Sequence, residues 1–244
     1  MSLPRFYLPP PRWNPEALAL EDEEAKHCVQ VLRKGVGDEI MVFNGRGAWA
    51  KAALTSASSK KVELQCFETG ETAAPPVSIT LLQAIPKGSN MDLIVEKAVE
   101  LGVNAIVPVM TERTVVQIDA KEAPKKQAKW QRIALEACKQ CGQNWLPEVH
   151  PPLTFEKAWG RLPEHDLRLV AAILPDSQSL KSTLRSSPAS VLMLIGPEGD
   201  LTPTEYATAR THRCLPISLG PIILRVETAA MYCLSVLNHE LRQT

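Results

Sequence analysis

The 244-residue chain is long enough for one large domain or two modest ones, and its 45% hydrophobic and 22% charged residues are those of an ordinary globular protein. Its 27 basic and 27 acidic residues cancel, which excludes a global basic field, so any nucleic-acid contact has to come from local patches. No apolar run approaches the roughly 18 residues a membrane helix needs, and Met1–Pro10 lacks the charged, apolar and small-residue segments of a signal peptide, so the expected location is the cytoplasm, with no membrane partner.

Residues 1–72 read as a small β-rich domain with one helix. Arg5–Leu8 is a short strand stopped by Pro9-Pro10-Pro11. Glu21–Arg33 is predicted helical: its acidic start and basic end complement the helix dipole, Ala25, Cys28, Val29 and Leu32 share a face, and Gly35 stops it. Glu39–Phe43 and Ala48–Leu54 are strands joined by Asn44-Gly45-Arg46-Gly47, since Asn-Gly is a strong hairpin signal, and Lys61–Phe67 is a further strand. Thr69–Pro76 reads as a linker by composition.

Residues 73–244 change pattern. Apolar runs without period-2 alternation, as in strands buried on both faces, occur at Ser78–Ile85, Ala105–Met110, Leu169–Leu174, Val191–Ile195 and Leu215–Leu219. Helical stretches lie between and after them: Asn90–Leu101 ending at Gly102, Lys125–Cys141 ending at Gly142, Thr154–Trp159, Ser177–Arg185, a helix opened by the capping box Thr202-Pro203-Thr204-Glu205, and Val226–Leu241. Such alternation predicts an α/β domain with a mostly parallel sheet and helices on both faces. The six cysteines are scattered; Cys138 and Cys141 have CxxC spacing but lack the second half of a zinc site and sit at a helix C-terminus, so they read as half-buried helix residues and no metal is expected.

Two strand–loop–helix junctions stand out. Gly196-Pro197-Glu198-Gly199 follows one apolar strand, and Leu219–Leu224 follows another and ends at Arg225, two residues before Glu227. In open α/β sheets ligands bind beyond the carboxyl ends of the strands. The first loop has neither G-x-x-x-x-G-K-[ST] nor G-x-G-x-x-G, and its carboxylate disfavours a phosphate. The second is apolar, with its polar capacity in the backbone, as suits a purine. Together they fit a sulfonium cofactor with an adenine and an amino-acid tail, S-adenosylmethionine; each alone reads equally well as a tight α/β turn.

The combination Gly196–Gly199, Thr202–Glu205 and L-G-P-x-I-L-R-x-E-T-A over Leu219–Ala229 resembles the ribosomal RNA small subunit methyltransferase E family of the SPOUT superfamily. Arg5–Tyr7, His27–Asp38, Lys87–Val103 and Glu136–Gly142 extend the likeness along nearly the whole chain. The resemblance implies a SPOUT-type trefoil-knotted α/β domain preceded by a small PUA-like β-barrel. It implies an S-adenosylmethionine-dependent homodimer methylating N3 of a uridine in 16S rRNA of the small ribosomal subunit. It assigns Leu174, Gly196, Glu198, Gly199, Ser218, Leu219, Gly220, Ile223, Leu224 and Ala229 to the cofactor, and Arg5, His27, Arg33, Lys34, Lys87 and Arg113 to RNA. Alternatives are a SPOUT enzyme acting on ribose 2′-oxygen and a non-catalytic RNA-binding or ribosome assembly protein of the same fold. The chain departs from the family pattern at Asp200, where a third glycine is usual, and at Ile222 and Gln143, where arginines are common; Arg225 is left as the main cation of its loop.

N3 methylation needs in-line geometry and removal of a proton. Arg225 is expected to stabilise negative charge on the uracil oxygens; Glu227 or Glu198 acts as base or orients Arg225. Two local basic clusters can meet phosphates: Lys26, Arg33, Lys34, Arg46 and Lys51 against Asp38 and Glu39, and Lys121, Lys125, Lys126, Lys129, Arg132 and Lys139 against Glu122 and Glu136.

Overall fold

In the computed structural model, residues 3–184 and 187–242 are described. The chain separates into two units, one of residues 1–74 with 135–146, the other of residues 75–134 with 147–244. The helix Ala123–Cys141 therefore contributes its last residues, from Leu135, to the first unit.

The first unit contains β1 (Arg5–Tyr7), β2 (Ala19–Glu21), α1 (Asp22–Lys26), β3 (Glu39–Phe43), β4 (Ala48–Ala57) and β5 (Lys61–Glu71). They form a five-stranded sheet in the order β1-β3-β4-β5-β2, antiparallel except where β1 runs parallel to β3. Alternation places Ile40, Val42, Ala50, Ala52, Leu54 and Val62 in one buried cluster with Phe6 and Leu20. The Asn44–Gly47 turn is made by chemistry the sequence advertises: the Asn44 side-chain oxygen accepts from the amides of Arg46 (2.8 Å) and Ala48 (3.1 Å). Gly47 has φ +98°, and a Cβ there would lie 2.6 Å from the Thr72 carbonyl oxygen, so only glycine fits.

Predicted boundaries move, two of them for a visible reason. Helix α1 passes into a π turn, His27–Val31, and the predicted end at Arg33 is replaced by a left-handed residue: Arg33 has φ +54°, while the Leu32 amide reaches back to His27. Strand β5 runs to Glu71, into the expected linker, because Gly70 lies against Trp49, whose ring a Cβ would approach to 2.3 Å. Residues 135–146 join this unit through Lys139, which pairs with Glu24 and Glu136, and through the Trp145 indole N–H, which donates to the Thr72 carbonyl (2.9 Å).

The second unit contains β6 (Ser78–Ala84), α2 (Asn90–Glu100), β7 (Ala105–Met110), α3 (Ala123–Cys141, as far as Ala134), β8 (Glu148–Val149), β9 (Leu153–Thr154), α4 (Phe155–Trp159), β10 (Leu167–Ala171), β11 (Gln178–Ser179), α5 (Leu180–Thr183), β12 (Ser190–Ile195), α6 (Pro203–Thr211), β13 (Leu215–Ser218) and α7 (Val226–Leu241). The sheet is wholly parallel, in the order β11-β13-β10-β12-β6-β7-β8, with β9 also pairing with β7. Burial on both faces explains the unbroken apolar runs: Ile79, Leu81, Leu82, Leu169, Val191, Leu192, Met193 and Leu194 are all essentially inaccessible.

Strand β10 stops at Ala171 rather than Leu174. Ser177 turns the chain there, its hydroxyl donating to the Ala172 carbonyl and accepting from the Leu174 amide, both at 3.2 Å. The helix expected over Ser177–Arg185 is the single turn α5, capped by Ser179; Arg185 lies outside the described residues. The capping box of α6 forms as read: the Thr202 hydroxyl accepts from the Glu205 amide, and the Glu205 carboxylate accepts from the Thr202 amide (2.9 Å).

Candidate functional site

Because every strand of the parallel sheet points the same way, the loops leaving β6, β10, β12 and β13 come together at one edge. Between them is a cavity of about 490 Å³, within the range of small-molecule sites. Its walls are the end of β10 (Ala171–Ile173), the first glycine loop (Gly196–Glu198 and Asp200), the second loop (Ser218–Gly220 and Ile222–Arg225), the start of α7 (Val226, Glu227, Ala229) and Asn90 at the start of α2.

Of the residues predicted for a cofactor, Gly196, Glu198, Ser218, Leu219, Gly220, Ile223, Leu224 and Ala229 line this cavity, as do Arg225 and Glu227. Leu174 and Gly199 stand behind it. Leu174 packs against the apolar cluster under the sheet, and the Gly199 carbonyl accepts from the Arg113 guanidinium (2.8 Å). Sequence reasoning missed Asn90, Asp200 as a wall residue, and the β10 end. Nothing in the sequence pairs Asn90 with Glu227, 137 residues away.

The first loop is fixed by polar ties from its neighbours. The Glu198 carboxylate accepts from the Lys87 amide (2.9 Å). Asp200 adopts φ +62°, the left-handed region that a glycine occupies most easily, and its carboxylate accepts from the Leu201 amide (2.8 Å) and the Tyr206 hydroxyl (2.6 Å). Burial, and then the Asp200 carboxylate, push the Tyr206 phenol up, so it remains a donor. Glu205 joins the capping box to the next loop by accepting from the Glu112 amide (2.8 Å). The second loop differs. Gly220 has φ +111° with open space where a Cβ would stand, so it is there for conformation. Ile222 and Ile223 are 75% and 80% exposed. Among the described residues the amides of Ile222, Ile223 and Leu224 have no hydrogen-bond partner in the protein.

Three carboxylates (Glu198, Asp200, Glu227) and one guanidinium (Arg225) line the cavity. That balance suits a ligand carrying positive charge, and unpaired loop amides beside apolar side chains suit a heteroaromatic ring. The residues present fit S-adenosylmethionine on both counts.

The residues predicted for RNA are dispersed. Lys87 and Arg113 are the ties on the first glycine loop. In the first unit, Arg5 donates to the Gln143 carbonyl, Asn144 and the Met41 sulfur and lies over the Phe43 ring (4.9 Å). His27 meets Phe6 edge-on at 5.8 Å. Arg33 is exposed, and Lys34 sits 3.8 Å from Asp38. Cys138 is buried, which pushes its thiol up to about 12, and it points at the Trp145 carbonyl. Among the described residues no group of three or more His, Cys, Asp or Glu side chains is arranged to hold a metal ion.

A parallel α/β sheet with a small-molecule cavity at its strand ends, in a chain that also carries a small five-stranded sheet unit, is matched as a whole by RNA methyltransferase families. Residues 73–238 match the RNA methyltransferase domain family, and residues 20–65 match the RNA methyltransferase PUA domain family. The chain belongs to the ribosomal RNA small subunit methyltransferase E family. The member from Bacillus subtilis is 34% identical over 91% of this chain and 90% of its own length. Among solved structures, a methyltransferase from Legionella pneumophila in complex with bound S-adenosylmethionine superposes with a TM-score of 0.89 at 34% identity, covering 98% of both chains. Ribosomal RNA small subunit methyltransferase E from Neisseria gonorrhoeae, bound to S-adenosylmethionine, gives 0.87 at 33% identity over 97% of both.

Proposed function

We propose that this chain uses S-adenosylmethionine to methylate N3 of a uridine in 16S rRNA of the small ribosomal subunit, working as a cytoplasmic homodimer with a trefoil-knotted catalytic domain. The observation that carries the reading is the cavity in which both glycine loops, three carboxylates and Arg225 meet. The kinship with family members that hold S-adenosylmethionine supports it. For the knot, the support is the strand order, in which β10 lies between β12 and β13 while the loops leaving all three face one cavity.

When bound, S-adenosylmethionine supplies an electrophilic methyl group on a sulfonium. The backbone of Leu219–Leu224 would hold the adenine, with Ile223 and Leu224 supplying apolar surface, and Gly196, Ser218 and Ala229 would line the rest of the cofactor site. Glu198, fixed by the Lys87 amide, keeps the first loop in shape. Leu174 and Gly199 support that arrangement from behind. Arg225, exposed at the N-cap of α7, donates to the uracil oxygens as N3 loses its proton. The N3 proton passes to the Glu227 carboxylate, which leaves the nitrogen its lone pair to accept the methyl group. Placement of N3 in line supplies most of the rate. Arg5, His27, Arg33 and Lys34 shape the RNA-facing surface of the first unit, and Lys87 and Arg113 serve the RNA through the loops they fix.

The test is methyl transfer to 30S subunits and to naked 16S rRNA, with the modified nucleoside identified by mass spectrometry. We expect N3-methyluridine. We expect Arg225→Ala to lose about 10²–10³-fold in single-turnover rate, with cofactor affinity by calorimetry changed no more than a few-fold. Undiminished activity in that variant, or a methyl group on ribose, overturns the assignment.

A further inference from the structure

Of the polar groups lining the cavity, Asn90 and Glu227 are joined directly. The Asn90 side-chain amide donates to one Glu227 carboxylate oxygen, Oε2, at 3.3 Å. A carboxylate only accepts, so the amide nitrogen must be the end that faces it. Both residues open helices, Asn90 as the first residue of α2 and Glu227 as the second of α7. Those helices pack on one another, and their inward faces are buried: Met91, Ile94 and Val95 on α2, Ala230, Cys233 and Leu234 on α7. Two helix starts held by a common core keep the amide and the carboxylate at a constant separation. Among the described residues the second Glu227 oxygen, Oε1, has no partner. A carboxylate tethered by one oxygen presents the other in a restricted set of directions.

We propose that Asn90 is a positioning residue for this reaction: it tethers Glu227 so that the free carboxylate oxygen meets the N–H that is to lose its proton. The inference rests on the reading of Glu227 as proton acceptor given above, and extends it to a residue of a different loop, the one leaving β6. A lost hydrogen bond to a charged acceptor corresponds to about 10- to 100-fold. Asn90 touches the acceptor rather than the cavity's adenosyl-binding loop, so the effect belongs in kcat and not in cofactor affinity.

The experiment compares Asn90→Ala, Asn90→Asp, Glu227→Gln and the double variant Asn90→Ala/Glu227→Gln in single-turnover methylation of 30S subunits, with S-adenosylmethionine affinity measured by calorimetry for each. Asn90→Ala should lose about 10- to 100-fold in rate while binding the cofactor within about twofold of wild type, which also shows that it is folded. The isosteric Asn90→Asp separates positioning from mere structure. At the first position of a helix an aspartate is favourable, so a purely structural role makes Asp at least as good as Ala. Positioning makes it worse, because it exchanges a donor for a like charge beside Glu227. The double variant should be no slower than Glu227→Gln within about threefold, since a tether has nothing left to hold. A slow Glu227→Gln with a normal Asn90→Ala, an Asp variant faster than the Ala variant, or fully additive losses overturns the role of Asn90 alone. A Glu227→Gln variant at the wild-type rate overturns the reading of Glu227 and this inference with it.

Discussion

Glu205 is the residue through which the fold and the site are joined, and its removal has a magnitude that can be worked out. Its side chain is nearly inaccessible, at 6% exposed. One oxygen accepts from the Thr202 amide (2.9 Å) and hydroxyl (3.2 Å), the other from the Glu112 amide (2.8 Å). Glu205→Ala deletes the acceptor for all three. The Thr202 amide lies in a buried residue and is left without a partner, which costs ~1–3 kcal/mol; Glu112 is exposed, so water recovers part of its loss. The bond to the Thr202 amide is Glu205's half of the capping box, so the box adds no separate loss, and a few tenths are regained from alanine's helix propensity. The sum is about 2 kcal/mol. In urea, with a slope of ~2 kcal/mol/M, the midpoint falls by about 1 M; in a thermal scan the loss is about 4–8 °C. Trp159 reports the event optically, because its ring stacks on His212, the C-cap of α6, at 4.5 Å and 3°. The Glu112–Arg113 turn loses its anchor as well, and Arg113 holds Gly199, so cofactor affinity should drop with stability. A loss below about 1 kcal/mol, or an intact affinity in a clearly destabilised variant, refutes the idea that the capping box braces the site.

Three further expectations follow from the same ties and from burial. Replacing Asp200 by glycine relieves a left-handed residue, worth ~1 kcal/mol, but removes the acceptor for Tyr206 and Leu201; the two hydrogen bonds outweigh the relief, so Asp200→Gly should be less stable by about 1 kcal/mol and Asp200→Asn by less, measured by urea unfolding. Burial pushes the Cys28 thiol up to about 11 and those of Cys138, Cys214 and Cys233 up to about 12. The unfolded chain therefore ionises first as pH rises past about 9, and stability should fall between pH 9 and 12. In the native protein at pH 8 a thiol reagent should titrate Cys66 and Cys141 rapidly and the other four only on unfolding.

Much of this fold is legible because its signals are local. β7, α7 and the α6 capping box stand where the sequence places them, since continuous apolar runs, a helix-period face and Thr-Pro-Thr-Glu are each read within a few residues. The departures come from contacts at long range or from backbone states that periodicity does not encode. The end of β10 is set by the Ser177 hydroxyl, the end of the first helix by a left-handed Arg33, and the end of β5 by Trp49 over Gly70. Strands β8, β9 and β11 have two residues each, too few for any periodicity to show.

The site divides along the same line. Its glycine loops and the Arg225–Glu227 pair are contiguous in sequence and were readable. What holds them in place was not, because each tie joins loops from different strands: Lys87 to Glu198, Arg113 to Gly199, Glu112 to Glu205 and Asn90 to Glu227. This also accounts for the basic residues near the site. In sequence Lys87 and Arg113 look like cations waiting for phosphate. In the fold, Lys87 contributes its backbone amide and Arg113 spends a guanidinium N–H on a carbonyl, so each acts on the loop before it acts on any ligand. The two loops are consequently unlike in mechanics. Residues 196–200 are clamped by neighbours on both sides, whereas residues 222–224 leave their amides unpaired and two isoleucines in the open. The clamped loop supplies fixed charge and the open one supplies adaptable backbone. A side chain can therefore change at Ile222 without disturbing the loop's unpaired amides, whereas on the proposed mechanism side-chain identity matters at Arg225 and Glu227, at the start of α7.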